Sequence, residues 1–372
     1  MIVNTDWFFL SHRLPVALAA KEEGFRVNII SPDSGMADQI RSYGLNHNSV
    51  NLNRGTKNPF NDIIFFLQLV RILVKLNPAI VHNVTIKPII YGTIAAKITG
   101  VGSVINAVSG LGSAFDTGKN KRILSKLMRI LYKIIMNLRG VTVIVQNSRD
   151  ESLFREILKH PQLIKTNGSG VELQKYNPIN CDILNAEQKI NVLFAGRLLK
   201  SKGIITYIEA IRELDSSIRS KANFLVAGMI DIDNRDGIPS ESLKLWEQEG
   251  TVKYCGFVNE METLLSKVSI LVYPSYYKEG LPKILIEAGA MAIPVVTADS
   301  PGCNDIVEHN YNGLLTNPRD AYAVQQAMTL LISDSKLRLH LGNNNRKIVE
   351  QRYHIQKVVE THLRLYMKSL HT

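Results

Sequence analysis

The fold class follows from a strand–helix–strand pattern at residues 270–297, ILVYPSYYKEGLPKILIEAGAMAIPVVT. An apolar run at 270–273 ends at a Pro-Ser pair, a helix is predicted over residues 283–291, and a second apolar run follows at 294–297. Short continuous apolar runs are typical of strands buried on both faces, and parallel strands are joined by helical crossovers. The pattern therefore predicts a βαβ unit in a parallel sheet.

The same alternation extends outward from this unit along the whole chain, in two blocks. In the first block, strands are predicted at residues 1–4, 27–30, 80–82, 104–108, 141–146 and 163–166. In the second block, strands are predicted at residues 191–195, 224–227, 252–255, 270–273 and 294–297. Strands that alternate with helices in this way indicate α/β domains with doubly wound parallel sheets.

A polar stretch without periodicity, residues 177–188, separates the two blocks and is predicted to be a linker. The chain is therefore predicted to hold two Rossmann-like domains, residues 1–176 and 189–348, that face each other across a cleft. A helical pattern within residues 349–372 is expected to return to the first domain. Open α/β sheets bind ligands at the carboxyl ends of their strands, so the site is expected where two such edges meet.

Composition excludes several classes of protein. The 372 residues are 45% apolar and 21% charged, which is ordinary for a globular chain and unlike a disordered one. Its three cysteines lie far apart, so we expect neither a disulfide framework nor a zinc ribbon, and a reducing compartment fits best. The N-terminus lacks a signal-peptide pattern, and the most apolar stretch, residues 63–76, is short and interrupted by polar residues. We therefore expect a protein that does not span a membrane.

The positive charge is concentrated in one half of the chain. The formal net charge is +11, and residues 1–180 contain 22 lysines and arginines against 11 acidic residues, whereas residues 181–372 contain 22 of each. An excess confined to one half indicates an anionic partner there, which could be nucleic acid, an acidic membrane surface or a phosphorylated substrate.

Two carboxylates flank the start of the predicted helix in the opening stretch. Glu279 lies in the loop before the helix, which Gly280 and Pro282 shape, and Glu287 lies within its apolar part. Free amides at a helix start bind anions, and carboxylates accept hydrogen bonds from sugar hydroxyls, so the pair resembles a hydroxyl-binding site. The alternative, of about equal weight, is that Glu279 caps the helix and Glu287 pairs with a lysine.

A basic loop follows the first strand of the second block, in the segment FAGRLLKSKG at residues 194–203. Arg197 and Lys202 offer a planar fork and a point charge, which together suit a diphosphate. The segment matches neither the Walker pattern nor the dinucleotide fingerprint of three glycines. A solvated basic loop without a ligand is the alternative explanation.

Together these segments resemble the family 4 retaining glycosyltransferases of the GT-B fold, which use nucleotide sugars. The most specific part is Glu279-x7-Glu287, followed by PVVT at residues 294–297 and NGL at 312–314. The resemblance implies that Arg197 and Lys202 contact the donor diphosphate, that Glu287 binds the ribose hydroxyls and that Glu279 approaches the transferred sugar. It places the donor site at the following residues: Gly196, Arg197, Lys202, Glu279, Gly280, Leu281, Pro282 and Glu287.

Two positions depart from the family pattern. Ala292 stands where the family has a glycine, and Gly289 stands where a larger residue is common.

Three segments of the first domain narrow the resemblance, SHRLP at residues 11–15, HNVTIKP at 82–88 and SGLGS at 109–113. They are similar to the subgroup that assembles O-antigens, capsules and bacterial N-glycans by elongating sugars on a polyprenyl diphosphate. His12, expected in the first strand-to-helix loop, is predicted to be catalytic with Arg197, Lys202 and Glu279. The acceptor-side residues implied are these: Gly110, Gly112, His82, Thr85 and Lys87. A histidine satisfied at a strand end is an equally weighted explanation for His82.

A basic amphipathic segment, KNKRILSKLMRILYKIIMNLRG at residues 119–140, has seven basic residues and no acidic one. Four of them recur at helical spacing and are predicted to dock on an anionic membrane: Arg122, Lys126, Arg129 and Lys133. The alternative is a Rossmann helix that packs on the sheet and whose basic face is solvated. Phe65 and Phe66 are candidates for the same membrane face.

Three competing hypotheses remain open. Asp231 and Asp233 form a D-x-D pattern that could hold a divalent metal, a nucleotide-sugar epimerase can share the GT-B fold, and the net charge allows a nucleic-acid-binding protein. The basic segment is interleaved with aliphatic rather than aromatic residues, which favours lipid over bases. We therefore expect a metal-independent enzyme at the inner face of the cytoplasmic membrane. It would move a sugar, an N-acetylhexosamine in the favoured case, from a UDP-sugar to a polyprenyl-diphosphate-linked acceptor, without a further cofactor and without nucleic acid.

Overall fold

A computed structural model describes residues 1–52, 59–110, 122–159, 162–178, 189–231, 234–277 and 279–370. The chain divides into two compact units, of which the first comprises Met1–Ser169 with Ile355–Thr372 and the second Gly170–His354. Of the predicted linker, residues 179–188 lie outside the described residues.

Helices and strands alternate through both units. The helices are α1 Asp6–His12, α2 Leu14–Glu22, α3 Ala37–Ser42, α4 Pro59–Leu76, α5 Thr93–Ile98, α6 Arg122–Met136, α7 Ser148–Ile157, α8 Ile204–Arg212, α9 Ser216–Arg219, α10 Ser240–Gln248, α11 Met261–Leu265, α12 Lys283–Ala290, α13 Ala321–Ser333, α14 Ser335–Arg352 and α15 Ile355–Leu370. The strands are β1 Asn28–Ser31, β2 Asn46–Ser49, β3 Ile80–Val84, β4 Ser103–Ala107, β5 Val141–Val145, β6 Leu163–Lys165, β7 Ile190–Ala195, β8 Ala222–Ala227, β9 Lys253–Tyr254, β10 Ile270–Tyr273, β11 Val295–Ala298 and β12 Gly313–Thr316. A π-helical turn, Pro88–Gly92, precedes α5, and a 3-10 turn, Lys200–Lys202, precedes α8.

The first unit is built on parallel strands. β1 pairs with β2, and β3, β4, β5 and β6 form a second parallel set in that order. Ile2 bridges Ile30 on one side and Asn83 on the other, which joins the two sets. Helices α4 to α7 cover one face and share one apolar core, while α1, α2, α3 and α15 share a second core with residues of the other face.

The start of the chain differs from the sequence prediction. Residues 1–4 do not form a full strand: Ile2 bridges both neighbouring strands, Met1 and Val3 hydrogen-bond to Ile30, and α1 already begins at Asp6. Thr5 stops the extended backbone by capping this helix, since its hydroxyl accepts a hydrogen bond from the Phe8 amide at 3.3 Å. The strand β2 was not predicted, because its sequence NHNS lacks apolar residues.

The second unit has one six-stranded parallel sheet in the order β12-β11-β10-β7-β8-β9. The predicted βαβ unit is confirmed, with β10 and β11 paired in the register Leu271 to Val295 and joined by α12. From β7 the chain moves to β8 on one side, whereas β10 lies on the other side. The strand order therefore reverses between β7 and β10, and this switch point is where open α/β sheets form a binding crevice.

The final helical pattern is two helices rather than one. α14 ends at Arg352 in the second unit, and α15 belongs to the first unit, where it packs on α2 and β3. The chain leaves the second unit next to its point of entry, since the Val171 amide donates to the Tyr353 carbonyl at 2.9 Å.

The two departures from the family pattern have structural consequences. Ala292 has a φ of +55°, a left-handed conformation that glycine adopts without strain. Gly289 packs against α14, where an added Cβ would lie 2.8 Å from the Asn345 amide oxygen and would also crowd Val349. Glycine is therefore required at 289 by packing, whereas alanine at 292 is accepted with some backbone strain.

No helix among the described residues has both the length and the apolar character needed to cross a membrane.

Candidate functional site

A buried ion pair lies at the switch point of the second unit. The Lys202 ammonium, after β7, lies 2.6 Å from a carboxylate oxygen of Glu279, after β10, and their side chains are 8% and 12% exposed. Tyr273 and Ser275 donate hydrogen bonds to the same oxygen at 2.7 and 2.9 Å. Lys202 is therefore not part of a solvated loop, and Glu279 is held by side chains rather than serving as a helix cap.

The electrostatics of this pair favour two charged groups. Burial alone would raise the pKa of Glu279, but Lys202 and the hydrogen bonds from Tyr273 and Ser275 outweigh it, so the pKa is lowered. Burial lowers the pKa of Lys202, and the attraction of Glu279 opposes this shift. The ammonium also lies 4.9 Å from the centre of the Tyr277 ring. An ionised carboxylate and a cation in a site of low polarity interact strongly with the charges of a ligand.

Backbone geometry fixes the two loops against each other. Gly203 has a φ of +87°, and a Cβ there would overlap the Pro274 carbonyl oxygen, so only glycine allows this approach. The Thr297 hydroxyl donates to the Tyr273 carbonyl at 2.6 Å, and the Ser300 hydroxyl donates to the Ser275 carbonyl at 2.6 Å. The position of the Lys202–Glu279 pair is therefore set by three neighbouring strands.

Arg197 lies in the same region but is more exposed. Its guanidinium is 3.5 Å from a carboxylate oxygen of Asp231, and its side chain is 35% exposed. Its positive charge contributes to the lowered pKa of Lys202, which places the two cations within electrostatic range. Gly196, the residue before it, directly follows β7. The structure therefore brings Gly196, Arg197, Lys202 and Glu279 together.

The first acid of the D-x-D pattern, Asp231, is occupied by Arg197, and Asp233 lies outside the described residues. Among the residues that the structure describes, no three His, Cys, Asp or Glu side chains are grouped as metal ligands.

Glu287 is buried inside α12 and has two partners. Tyr176 donates a hydrogen bond to one of its oxygens at 2.8 Å, and the Lys283 ammonium lies 3.0 Å from the same oxygen. The lysine pairing that the sequence allowed is therefore present. Burial is the main cause that raises the pKa of Tyr176, and the negative charge of Glu287 raises it further. Oε2 of Glu287 is not engaged by either of these contacts.

The start of α12 lacks a side-chain cap. Gly280, Leu281 and Pro282 precede the helix, and its N-cap residue, Pro282, makes no side-chain capping hydrogen bond. This arrangement suits an anionic or hydroxyl-rich ligand. Three side chains that support the site, Tyr273, Ser275 and Tyr277, were not predicted. The polar tyrosine that ends the apolar strand ILVY was the signal for the first of them.

His12 is placed differently from its prediction. It is the last residue of α1 rather than part of a strand-to-helix loop, because α1 fills that connection. Its ring stacks on Phe8 with centroids 4.3 Å apart, and its Nδ1 lies 2.6 Å from the Ser11 hydroxyl.

His82 lies in the core of the first unit, as the structural alternative proposed. Its Nδ1 lies 2.7 Å from the hydroxyl of Tyr366 on α15, 284 residues away, and its ring stacks on His362. Burial lowers the pKa of His82, and electrostatic interactions with His362 and Arg13 lower it further. Burial and Arg13 lower the pKa of His362 to about 4. Both imidazoles are therefore neutral at pH 7.

This histidine pair predicts a pH-dependent stability. The folded-state pKa values lie below the unfolded value of 6.5, so the stabilisation is complete above pH 6.5 and is lost as the pH falls toward 4. Because its pKa is lowered from 6.5 to about 4, His362 alone should reduce the free energy of unfolding by about 3 kcal/mol as the pH falls through this range. Urea unfolding between pH 7 and 4 should show this slope and should show it reduced in His362→Gln. The same slope in His362→Gln as in the matched surface variant His340→Gln would contradict the prediction.

The other described acceptor-side residues lie near the carboxyl edge of the first unit's sheet. Thr85, after β3, has a φ of +77°, a strained conformation for a β-branched residue. Its hydroxyl and that of Ser109 are buried without a hydrogen-bond partner within the described part of the chain. Lys87 pairs with Asp62 at 2.7 Å. Gly110 has a φ of +90°, and Gly112 lies outside the described residues.

α6 divides its apolar residues between the core and the surface. Tyr132, Ile135 and Met136 are buried, so the helix packs on the sheet. The exposed apolar residues share the outer face with the predicted docking residues, so basic and aliphatic side chains are mixed there rather than separated. This α6 face comprises Lys126, Leu127, Arg129, Ile130, Lys133 and Ile134. The side chain of Arg122 lies outside the described part.

Both units contain a region that matches a known protein family. Residues 180–348 match the family "Glycosyl transferases group 1", and residues 1–148 match the family "Glycosyl transferase 4-like". These matches agree with the resemblance found in the sequence.

Two relatives are similar over most of the chain. The N,N'-diacetylbacillosaminyl-diphospho-undecaprenol alpha-1,3-N-acetylgalactosaminyltransferase of Campylobacter jejuni is 28% identical over 96% of this chain and 97% of its own. The UDP-Gal:alpha-D-GlcNAc-diphosphoundecaprenol alpha-1,3-galactosyltransferase of Escherichia coli is 25% identical over 93% of this chain and 89% of its own.

Among solved structures, a sucrose-phosphate synthase from Thermosynechococcus elongatus superposes with a TM-score of 0.80. It is 20% identical, over 95% of this chain and 91% of its own. The likeness shows the fold, and the predicted GT-B class of two Rossmann-like domains is confirmed.

Proposed function

We propose that this chain, whose residues 180–348 match the group 1 glycosyl transferases and whose residues 1–148 match the glycosyl transferase 4-like family, transfers an N-acetylhexosamine from a UDP-sugar to a polyprenyl-diphosphate-linked acceptor. The buried Lys202–Glu279 pair at the switch point of the second unit is the observation that carries this proposal. The two relatives support the acceptor class, since both their names specify a diphospho-undecaprenol acceptor. Both are named as transferases, which favours transfer over epimerisation.

The donor would bind in the second unit. Lys202 and Arg197 would contact its diphosphate, with the amides before α12 as further donors, and Glu279 would accept a hydrogen bond from a hydroxyl of the sugar. Glu287 would accept hydrogen bonds from the ribose through the oxygen that Tyr176 and Lys283 leave available. Preformed charges of this kind cost little reorganisation when the reaction occurs.

In the proposed reaction, the bond between the anomeric carbon and the diphosphate oxygen breaks. A bond forms from the same carbon to an acceptor hydroxyl oxygen, and the hydroxyl proton passes to the departing UDP. We propose that attack occurs on the face that UDP leaves, so that the anomeric configuration is retained. Lys202 and Arg197 would stabilise the negative charge that develops on the diphosphate.

The acceptor would bind at the carboxyl edge of the first unit. The hydroxyls of Thr85 and Ser109, which have no partner among the described residues, would donate to its phosphate or sugar oxygens, and Gly110 allows close backbone approach. Lys87 would release its ion-pair partner Asp62 and bind a phosphate of the acceptor instead. No role in this step is proposed for His82, because its ring is packed in the core.

A donor screen with and without a chelator tests the reaction. We expect transfer from a UDP-N-acetylhexosamine to a short-chain polyprenyl-diphosphate sugar, with an unchanged rate in excess EDTA because cationic side chains take the place of a metal. Loss of activity in EDTA that returns with added Mg²⁺ would overturn the metal-independent mechanism. UDP-sugar turnover without any acceptor would instead support an epimerase.

We further propose that the α6 face binds an anionic membrane. Reversing three charges, in Lys126→Glu/Arg129→Glu/Lys133→Glu, should abolish binding to phosphatidylglycerol vesicles, since each basic residue near such a surface contributes roughly 1 kcal/mol. The matched reversal Lys244→Glu/Lys336→Glu/Lys347→Glu in the second unit should leave binding intact. Vesicle binding that survives the α6 reversal would refute docking through this helix, and tighter retention on DNA than on vesicles would favour a nucleic-acid partner.

A further inference from the structure

α4 carries an exposed stripe along its outer side that the proposed reaction does not use. The stripe follows helical spacing and comprises Ile63, Ile64, Leu67, Arg71, Val74 and Lys75. Leu67 is 60% exposed and Val74 is 66% exposed. The opposite side of the helix, with Phe65, Leu69 and Leu73, is fully packed in the core, so the stripe is not needed to fold the unit.

The α4 stripe differs from an ordinary solvated helix face. A surface helix normally places polar residues opposite its buried side, whereas four of the six residues here are aliphatic. Contiguous exposed apolar residues of this kind mark surfaces that are covered by a partner. Phe65, a candidate for the membrane face from the sequence, is buried, and Phe66 is half-buried.

The charge of the stripe identifies the partner. It contains Arg71 and Lys75 and no acidic residue, and the nearby Asp62 is paired with Lys87 and Tyr91. Long basic side chains keep their charged ends at a lipid headgroup while their stems lie along apolar surface. A second copy of the same basic face would be repelled, and cores of protein interfaces are depleted of lysine. An anionic bilayer can bind both kinds of residue in the stripe, the aliphatic side chains in its apolar layer and the basic side chains at its headgroups.

The outer sides of α4 and α6 face the same way. The inner sides of both helices contribute to one core cluster, with Leu69 and Leu73 from α4 and Tyr132 and Ile135 from α6. Both helices therefore cover the same face of the sheet, and their outer sides point away from it together. Leu127 and Ile134 on the α6 face are 58% and 59% exposed. The outer sides of α4 and α6 therefore both combine exposed aliphatic residues with basic ones.

We propose that the α4 stripe is a second lipid-binding element, which inserts its aliphatic side chains into an anionic bilayer beside the α6 face. The first unit would then bind the membrane through two helices, with α4 supplying most of the apolar contact and α6 most of the charge. This rests on the proposed function only in that the acceptor is lipid-linked.

Vesicle binding by the full chain tests this assignment. The variant Ile63→Ser/Leu67→Ser/Val74→Ser should bind vesicles of equal parts phosphatidylcholine and phosphatidylglycerol about 10-fold more weakly or worse, because buried methylene groups are lost from the bilayer. The matched variant Tyr322→Ser/Leu330→Ser/Leu339→Ser removes equally exposed apolar residues from the second unit and should bind like the wild type. Unchanged binding by the α4 variant overturns the proposal.

Two further measurements separate the alternatives. A wild-type dimer in solution that becomes monomeric in the α4 variant, with vesicle binding unchanged, would show that a second copy covers the stripe and would overturn the proposal. Transfer to a water-soluble, short-chain acceptor should be equal in the wild type and the α4 variant. If neither transfers sugar, the proposed function fails, while the vesicle comparison still decides whether α4 binds lipid.

Discussion

Lys202→Ala is expected to lower the turnover of UDP-sugar by at least about 100-fold, the scale of removing one preorganised electrostatic group from a site. The ammonium is the most buried cation of the described donor region, and its position is fixed by Glu279 at 2.6 Å. In the proposed reaction this charge stabilises the departing diphosphate. Steady-state rates at saturating donor and acceptor measure the effect.

The same substitution also leaves Glu279 buried without its cation, so stability must be separated from catalysis. Breaking a buried pair costs roughly 3–5 kcal/mol of unfolding free energy, whereas removing both charges costs much less. The double variant Lys202→Met/Glu279→Gln should therefore regain most of the lost stability but none of the turnover. Recovery of turnover together with stability would mean that Lys202 serves only to balance Glu279.

Glu287→Ala is the second large effect, with turnover at limiting donor reduced by at least about 100-fold. The variant lacks the carboxylate, so the ribose hydroxyls would be left without a hydrogen-bond acceptor in a site that excludes water. The wild type should also discriminate against a 2′-deoxyribose donor, and the variant should show little of this discrimination. Rates with the two donors, measured as kcat/KM, give both results.

Tyr176→Phe is the control for Glu287. It removes the hydrogen bond of 2.8 Å from the tyrosine but keeps the carboxylate and the Lys283 contact. If Glu287 acts on the donor, Tyr176→Phe should retain a rate within about 10-fold of the wild type. A loss as large as that of Glu287→Ala, together with deoxyribose discrimination that survives in Glu287→Ala, would show that the carboxylate only holds α12 to the rest of the unit.

The strand pattern was readable because both sheets are parallel and buried on both faces. Such strands are continuous apolar runs, for example FLVA before Gly228 and ILVY before Pro274. Their burial can therefore be predicted from residues that are adjacent in the sequence. The loops that follow them, with Arg197, Lys202 and Glu279, were located for the same reason. β2 was missed because its polar sequence carries no such signal.

The sequence by itself therefore determined the alternation of strands and helices, the two blocks and the loops that hold the donor-side residues. The tertiary structure alone decided which of these residues are partners. Lys202 meets Glu279 because β7 lies beside β10, His82 is buried because α15 returns to β3, and α6 buries Tyr132 but exposes Leu127. Periodicity reports how a residue is placed on its own element, whereas the partner of a buried charge depends on strand order, which is set by packing between segments distant in the chain.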